Sequence, residues 1–162
     1  MSDHTEEIAP TIVLVDDEEM VVTSIKSFLT LETDYIVQAF TSAREALEYV
    51  RSNRTDLVIS DYLMPDMDGI EFLAQVKKER PQATRILLTG YADKENAIKA
   101  INDVGLFQYI EKPWENDDLK IIIRNGLEKR LLMQRLEAKI EEVNKAHGDL
   151  LKVQQEILKT FT

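Results

Sequence analysis

Three short runs of almost uninterrupted aliphatic residues, in "TIVLV" (11 to 15), "DLVIS" (56 to 60) and "RILLT" (85 to 89), limit what this chain can become. A strand with one face in water alternates apolar and polar side chains. A strand that does not alternate needs cover on both faces, the situation of a parallel strand between two helical layers. Two further runs of strand length, "YIVQAF" (35 to 40) and "FQYI" (107 to 110), extend the series, and helix-period segments separate all five. Alternating strands and helices predict an α/β fold built on a doubly wound, five-stranded parallel sheet.

The helical segments carry their own signals. In "DDEEMVVTSIKSFLTLE", Met20, Ile25, Phe28 and Leu29 supply the expected buried face, and in "TSAREALEYVRSN" Ala43, Ala46, Leu47 and Val50 do so, with Thr41 or Ser42 placed as the cap. Ile70, Phe72, Leu73 and Val76 continue after Gly69 until Pro81 ends a third helix. Ala97, Ile98, Ala100 and Ile101 fill a fourth, which Gly105 can terminate in a left-handed conformation. Asp66 and Asp68 read as turn and capping residues for the helix that begins near Ile70.

The last helix is different. From Asn116, a natural cap followed by Asp117 and Asp118, helix-forming sequence runs without Pro to about Phe161, a span of ~70 Å at the usual rise. Leu119, Ile122, Ile123 and Leu127 can pack on a sheet, but beyond Arg130 the helix is expected to project. There Leu136, Val143, Leu150 and Ile157 repeat every seven residues, flanked by a row with Leu132, Ala146 and Val153 and another with Met133, Ile140 and Phe161. That period favours a coiled coil and a homodimer. Lys139, His147 and Gln154 interrupt the flanking rows, and Gly148 lowers helix propensity by about 1 kcal/mol relative to Ala, which leaves a single helix on a neighbour or a fraying helix as alternatives. The expected organisation is a flexible leader at 1–9, a domain at 10–130 and a helical coiled-coil extension or linker at 131–162.

With 30 acidic against 20 basic side chains, the net charge of −10 repels phosphate backbones, so direct nucleic acid binding is not expected. No stretch approaches a membrane span, the opening "MSDHTEEIAP" lacks the features of a signal peptide, and a cytoplasmic location is expected. The absence of Cys removes thiolate metal sites and cysteine nucleophiles, so the chemistry falls to oxygen ligands, hydroxyls and Lys.

In a doubly wound sheet, ligands bind beyond the carboxyl ends of the strands. Here the first strand ends in Asp16 and Asp17, the third in Asp61, the fourth in Thr89 with Gly90, and Lys112 and Pro113 follow the fifth. Three carboxylates crowded together raise one another's pKa values unless cations neutralise them. Mg²⁺, a hard ion that takes oxygen ligands and retains waters, fits that need, with Lys112 as a second positive charge. A carboxylate in such surroundings can attack phosphorus to give an aspartyl phosphate, and Asp61 is the best nucleophile. Lys112 would hold a phosphoryl oxygen and Thr89 another, with Gly90 keeping the adjacent backbone uncluttered.

These motifs, "VLVDDEE", "VISDYLMPDMDG", "ILLTGYAD" and "YIEKPW", resemble the receiver domain of bacterial two-component response regulators over about residues 10 to 130. The resemblance implies a flavodoxin-like strand order 2-1-3-4-5 and a phosphorylation-dependent signalling switch that catalyses only its own phosphorylation and dephosphorylation. It further implies Asp61 as phosphoacceptor, Asp17 as a direct Mg²⁺ ligand, Asp16 as a ligand or water-mediated partner, and the Leu63 carbonyl as a further ligand. Thr89 and Lys112 match the phosphate-contacting pair, and Tyr109 the aromatic switch position. A cis bond before Pro113 is implied as well. The implied partner is a sensor histidine kinase or phosphotransfer protein; an output module following residue 162 is expected, with a chain that acts by itself through contacts as the alternative. Leu63 and Tyr91, two residues beyond Asp61 and Thr89, are bulky enough to shield an acyl phosphate, so a long-lived phosphorylated form is expected. His4 and His147 read as surface residues and Trp114 as packing at the start of the last helix.

Two rivals remain at this level. An aspartate-nucleophile phosphatase of the haloacid dehalogenase type needs an Asp-x-Asp pattern on the first strand, where Asp16 is followed two residues later by Glu18. A helical dimerisation scaffold whose receiver no longer signals would fail to take up phosphate.

Overall fold

The computed structural model describes residues 8–160. Five strands, β1 (Thr11–Val15), β2 (Ile36–Phe40), β3 (Leu57–Asp61), β4 (Thr84–Thr89) and β5 (Gln108–Glu111), alternate with helices α1 (Glu19–Glu32), α2 (Ala43–Ser52), α3 (Gly69–Glu79), α4 (Lys94–Ala100) and α5 (Asn116–Thr160). The strands form one parallel sheet in the order β2-β1-β3-β4-β5. The expected flavodoxin-like α/β architecture and strand order are therefore present. Two compact units divide the chain, Met1–Glu128 and Lys129–Thr162.

Side-chain alternation explains why the central strands look continuously apolar. Val13 and Val15 of β1 face one core with Val58 and Leu87, together with Ala46 and Val50 of α2 and Phe72, Leu73 and Val76 of α3. Ile12 and Leu14 face the other core with Ile59, Ile86 and Leu88, covered by Val22, Ile25 and Leu29 of α1 and by Leu119 and Ile123 of α5. Every residue of β1, β3 and β4 is buried, and each covered side chain contributes roughly 1.5–3 kcal/mol of transfer free energy.

Several local expectations need correction. Met20 is 84% exposed, and Val22 takes its place on the buried face of α1. Ile98 of α4 is 48% exposed while Ala97 and Ala100 are buried. Thus α4 meets the sheet through its small residues. It is also short, passing at Ile101–Gly105 into a π-helical turn that ends on Gly105 with φ +66°. Ser42 rather than Thr41 caps α2, accepting from the Glu45 N–H. Asp68 caps α3 by accepting from Glu71 N–H at 2.8 Å, but Asp66 serves α2, accepting from the Ser42 hydroxyl and the Arg44 N–H, both at 3.1 Å. Partial burial pushes the Asp66 carboxyl up, yet these two donors outweigh it and hold the group below its usual range. Asn116 is already the first helical residue of α5, since the Glu115 carbonyl accepts the Leu119 N–H.

Candidate functional site

The strand order reverses at β1, whose two neighbours are β2 and β3, the point beyond whose strand ends doubly wound sheets bind their ligands. β1 is followed by Asp16, which is fully buried, and by Asp17, which is exposed; β3 ends on Asp61, which is buried. One carboxylate oxygen from each of the three lies within 4.8 Å of the others. Lys112, just past β5, reaches into this group and donates to Asp16 Oδ2 and Asp61 Oδ1, both at 3.0 Å. Its main chain is pinned as well, because the Lys112 N–H donates to the Thr89 carbonyl at 2.8 Å, and the Lys112–Pro113 peptide is cis.

Backbone donors complete the arrangement. The Tyr62 N–H donates to Asp61 Oδ1 at 2.9 Å, and the Glu18 N–H donates to Asp16 Oδ1 at 2.9 Å. Asp61 Oδ1 thus holds two donors, Lys112 and Tyr62. Gly69 lies against the same segment: its N–H donates to the Tyr62 carbonyl at 2.8 Å, and a methyl group on its Cα would overlap the Asp61 carbonyl oxygen. Tyr62 and Gly69 are contributors that reasoning from motifs missed. The Gly in "DMDG" was the available signal for the second, whereas a backbone N–H leaves no trace in side-chain identity.

Three acids against one ammonium leave an unbalanced site. Burial pushes the Asp61 carboxyl up to about 6; the Lys112 hydrogen bond pulls it down and the neighbouring Asp16 charge pushes it up again. Burial pulls the Lys112 pKa down, but its hydrogen bonds to Asp16 and Asp61 outweigh this and leave it raised. The donor set consists of hard oxygens, which is the chemistry that suits a divalent cation such as Mg²⁺.

The remaining expected residues are distributed around this centre. Asp61 pairs in register with Leu88, so Thr89 lies one residue further along β4, fully buried, with its hydroxyl donating to the Gly90 carbonyl at 3.1 Å. Tyr109 pairs with Leu87, is half-buried and packs against the core under α2 and α3. Leu63 is 60% exposed. At Gly90 an added methyl would meet only the Asp93 carboxylate, at 3.8 Å, so close packing does not require a glycine there. Trp114 is half-buried against the core under α1 and α5. The Tyr91 side chain, His4 and Phe161 lie outside the described residues. No helix among the described residues is long and apolar enough to cross a membrane.

Comparison with known proteins agrees with this geometry. The family model for the response regulator receiver domain matches residues 12–124. The hydrogenase transcriptional regulatory protein HoxA of Cupriavidus necator is 34% identical over 73% of this chain and 24% of its own length. The response regulator protein VraR of Staphylococcus saprophyticus is 36% identical over 70% of this chain and 54% of its own. The chain therefore spans about a quarter to a half of the length of these curated relatives. Among solved structures, the signal receiver domain of an HD domain-containing protein from Pseudomonas fluorescens Pf-5 superposes with a TM-score of 0.72 at 36% identity, covering 76% of this chain and 98% of the other. With the strand order, the acid cluster beside Lys112 and these matches in agreement, the chain belongs to the response regulator receiver domain family, whose members act in phosphorylation-dependent signalling.

Proposed function

We propose that Asp61 accepts a phosphoryl group from the phosphohistidine of a sensor kinase or phosphotransfer protein, and that the switch so made is passed through α4, β5 and α5 to a second copy of the chain or to an output module. The observation that carries this reading is the convergence of the Asp16, Asp17 and Asp61 carboxylates, with Lys112 bridging those of Asp16 and Asp61 at 3.0 Å. Asp16, Asp17, one oxygen of Asp61 and the Leu63 carbonyl would hold Mg²⁺. When bound, the ion neutralises the crowded acids and the oxygens of the transferring group.

The chain's own residues supply the rest. Lys112 and the Tyr62 N–H occupy Asp61 Oδ1 and so orient the carboxylate, leaving Oδ2 to attack phosphorus. The new O–P bond forms as the P–N bond to the donor imidazole breaks, and that imidazole leaves with the electron pair. Lys112 then contacts a phosphoryl oxygen. The Thr89 hydroxyl turns from the Gly90 carbonyl to another, and Tyr109 takes up the space released. Apart from this self-modification the receiver is not an enzyme.

Treatment with acetyl phosphate and Mg²⁺ tests the reading. We expect about one acid-labile phosphate per chain, lost on Asp61→Asn or on removal of Mg²⁺ with EDTA. Uptake that survives Asp61→Asn would place the acceptor elsewhere, and no uptake in the unaltered chain would favour a scaffold that no longer signals. Self-association through α5 is part of the same proposal. Its basis is the seven-residue row of Leu136, Val143, Leu150 and Ile157, each about half exposed.

A further inference from the structure

In the unit Lys129–Thr162 the central row of Leu136, Val143, Leu150 and Ile157 has a neighbour on each side. One neighbouring row holds Leu132, Lys139, Ala146, Val153 and Thr160; the other holds Met133, Ile140, His147 and Gln154. All belong to one continuous helix, α5. A straight α-helix drifts by about 20° per heptad, so a strict seven-residue row keeps facing one partner only when the helix supercoils around something of the same period. The surface of that period at hand is the same helix in a second copy.

The apolar seam does not stay on one pair of rows. Up to Val143 the central row is completed by Met133 and Ile140, because the opposite row places Lys139 there. Beyond Val143 it is completed by Ala146 and Val153, because the row of Met133 and Ile140 continues there with His147 and Gln154. Successive seam residues are Met133, Leu136, Ile140, Val143, Ala146, Leu150, Val153 and Ile157, in which steps of three and four alternate except for two consecutive steps of three around Val143. Such an interruption overwinds a coiled coil locally.

Charge sets the direction of pairing. Glu142, Asp149 and Glu156 border the second part of the seam as a single acidic row. Antiparallel helices would set that row against its own copy, acid against acid. Parallel helices set it against the row of His147 and Gln154. The eight seam side chains of each helix, the large ones 42–56% exposed in the single chain, offer a combined area on the order of 1,000 Å² or more, within reach of a stable interface.

We propose that α5 pairs with a second copy of itself as a parallel, in-register coiled coil whose seam changes rows at Val143. This rests on the self-association put forward above. The chain contains no Cys, so single substitutions in the full 162-residue chain report on the seam without background. Under mild oxidation we expect Ile140→Cys to cross-link faster than Lys139→Cys, and Ala146→Cys and Val153→Cys faster than His147→Cys and Gln154→Cys. The bias should be at least about fivefold, because disulfides need Cβ atoms about 4 Å apart. Cross-linking at one level only would mean antiparallel helices, and the same row leading at both ends would mean an unbroken seam; either overturns the proposal. So does a monomer in sedimentation equilibrium at tens of micromolar. Phosphate uptake measured on the same variants reads the Asp61 site separately, so failure there is distinguishable from failure of the seam.

Discussion

At the level of single residues, Asp61 and Lys112 form an ion pair at 3.0 Å in which both groups have perturbed ionisation. Asp61 is shifted from 3.8 to about 6, first because it is buried, with Asp16 adding to the shift and Lys112 opposing it. The folded-state value lies above the unfolded one, so without a cation the fold holds this proton more tightly than the unfolded chain does. The contribution to stability is fully present below about pH 3.8, declines between 3.8 and 6, and stays lost at higher pH. Asp61→Asn removes that loss. In EDTA at pH 8 it should stabilise the protein by on the order of 1 kcal/mol, after allowance for solvent screening, and at pH 4 it should change little. Urea midpoints at the two pH values measure this. Equal midpoints at pH 8 would mean that the unaltered carboxylate is already compensated by Lys112 alone.

Among the elements, α5 shows how one substitution can have opposite signs within a single helix. Gly126 is buried, and the Thr84 hydroxyl donates to its carbonyl at 2.8 Å. A methyl there would sit 2.9 Å from Thr84 Cγ2 and 3.1 Å from Leu57 Cδ1, both on stiff, buried strands. Gly126→Ala should therefore destabilise the domain by about 1–2 kcal/mol despite its gain in helix propensity. Gly148 has nothing within 4 Å of the same position. Gly148→Ala should raise helix content and strengthen its segment by about 1 kcal/mol, read from ellipticity at 222 nm during a thermal melt. Strands and acid cluster were legible in the sequence because burial on both faces and charge at a strand end leave strong marks. Fine helix orientation was not. Met20 lies five residues before Ile25, about 140° around the helix, so it cannot share that residue's face. Ile98 was displaced by two alanines because a short helix held close to a sheet meets it through small side chains. Asp66 caps α2 from 22 residues away, a partnership that no local pattern encodes.

For the molecule as a whole, charge and connectivity point in the same direction. Residues 1–128 hold 25 acidic and 13 basic side chains, whereas residues 129–162 hold 5 and 7. Two copies therefore repel one another through their receiver units and can approach through their nearly balanced second units, which suits association there. Strand β4 links that helix to the acid cluster. Thr89 stands at its carboxyl end; at the other end the Thr84 hydroxyl holds the Gly126 carbonyl of α5, and Arg85 donates to the Val104 and Gly105 carbonyls that close the turn after α4. A displacement of Thr89 thus acts on the strand that anchors both helices. Allosteric couplings of 1–3 kcal/mol correspond to affinity changes of about 5–150-fold. With beryllofluoride and Mg²⁺ as phosphate mimic, the dimer dissociation constant measured by sedimentation should shift by at least about fivefold. Thr84→Val, which loses the bond to α5 but touches nothing at the acid cluster, should shrink that shift while phosphate uptake from acetyl phosphate stays normal. A dissociation constant indifferent to the mimic would mean that α5 joins two copies without reporting the state of Asp61, and the signal would then leave through α4 and β5 alone.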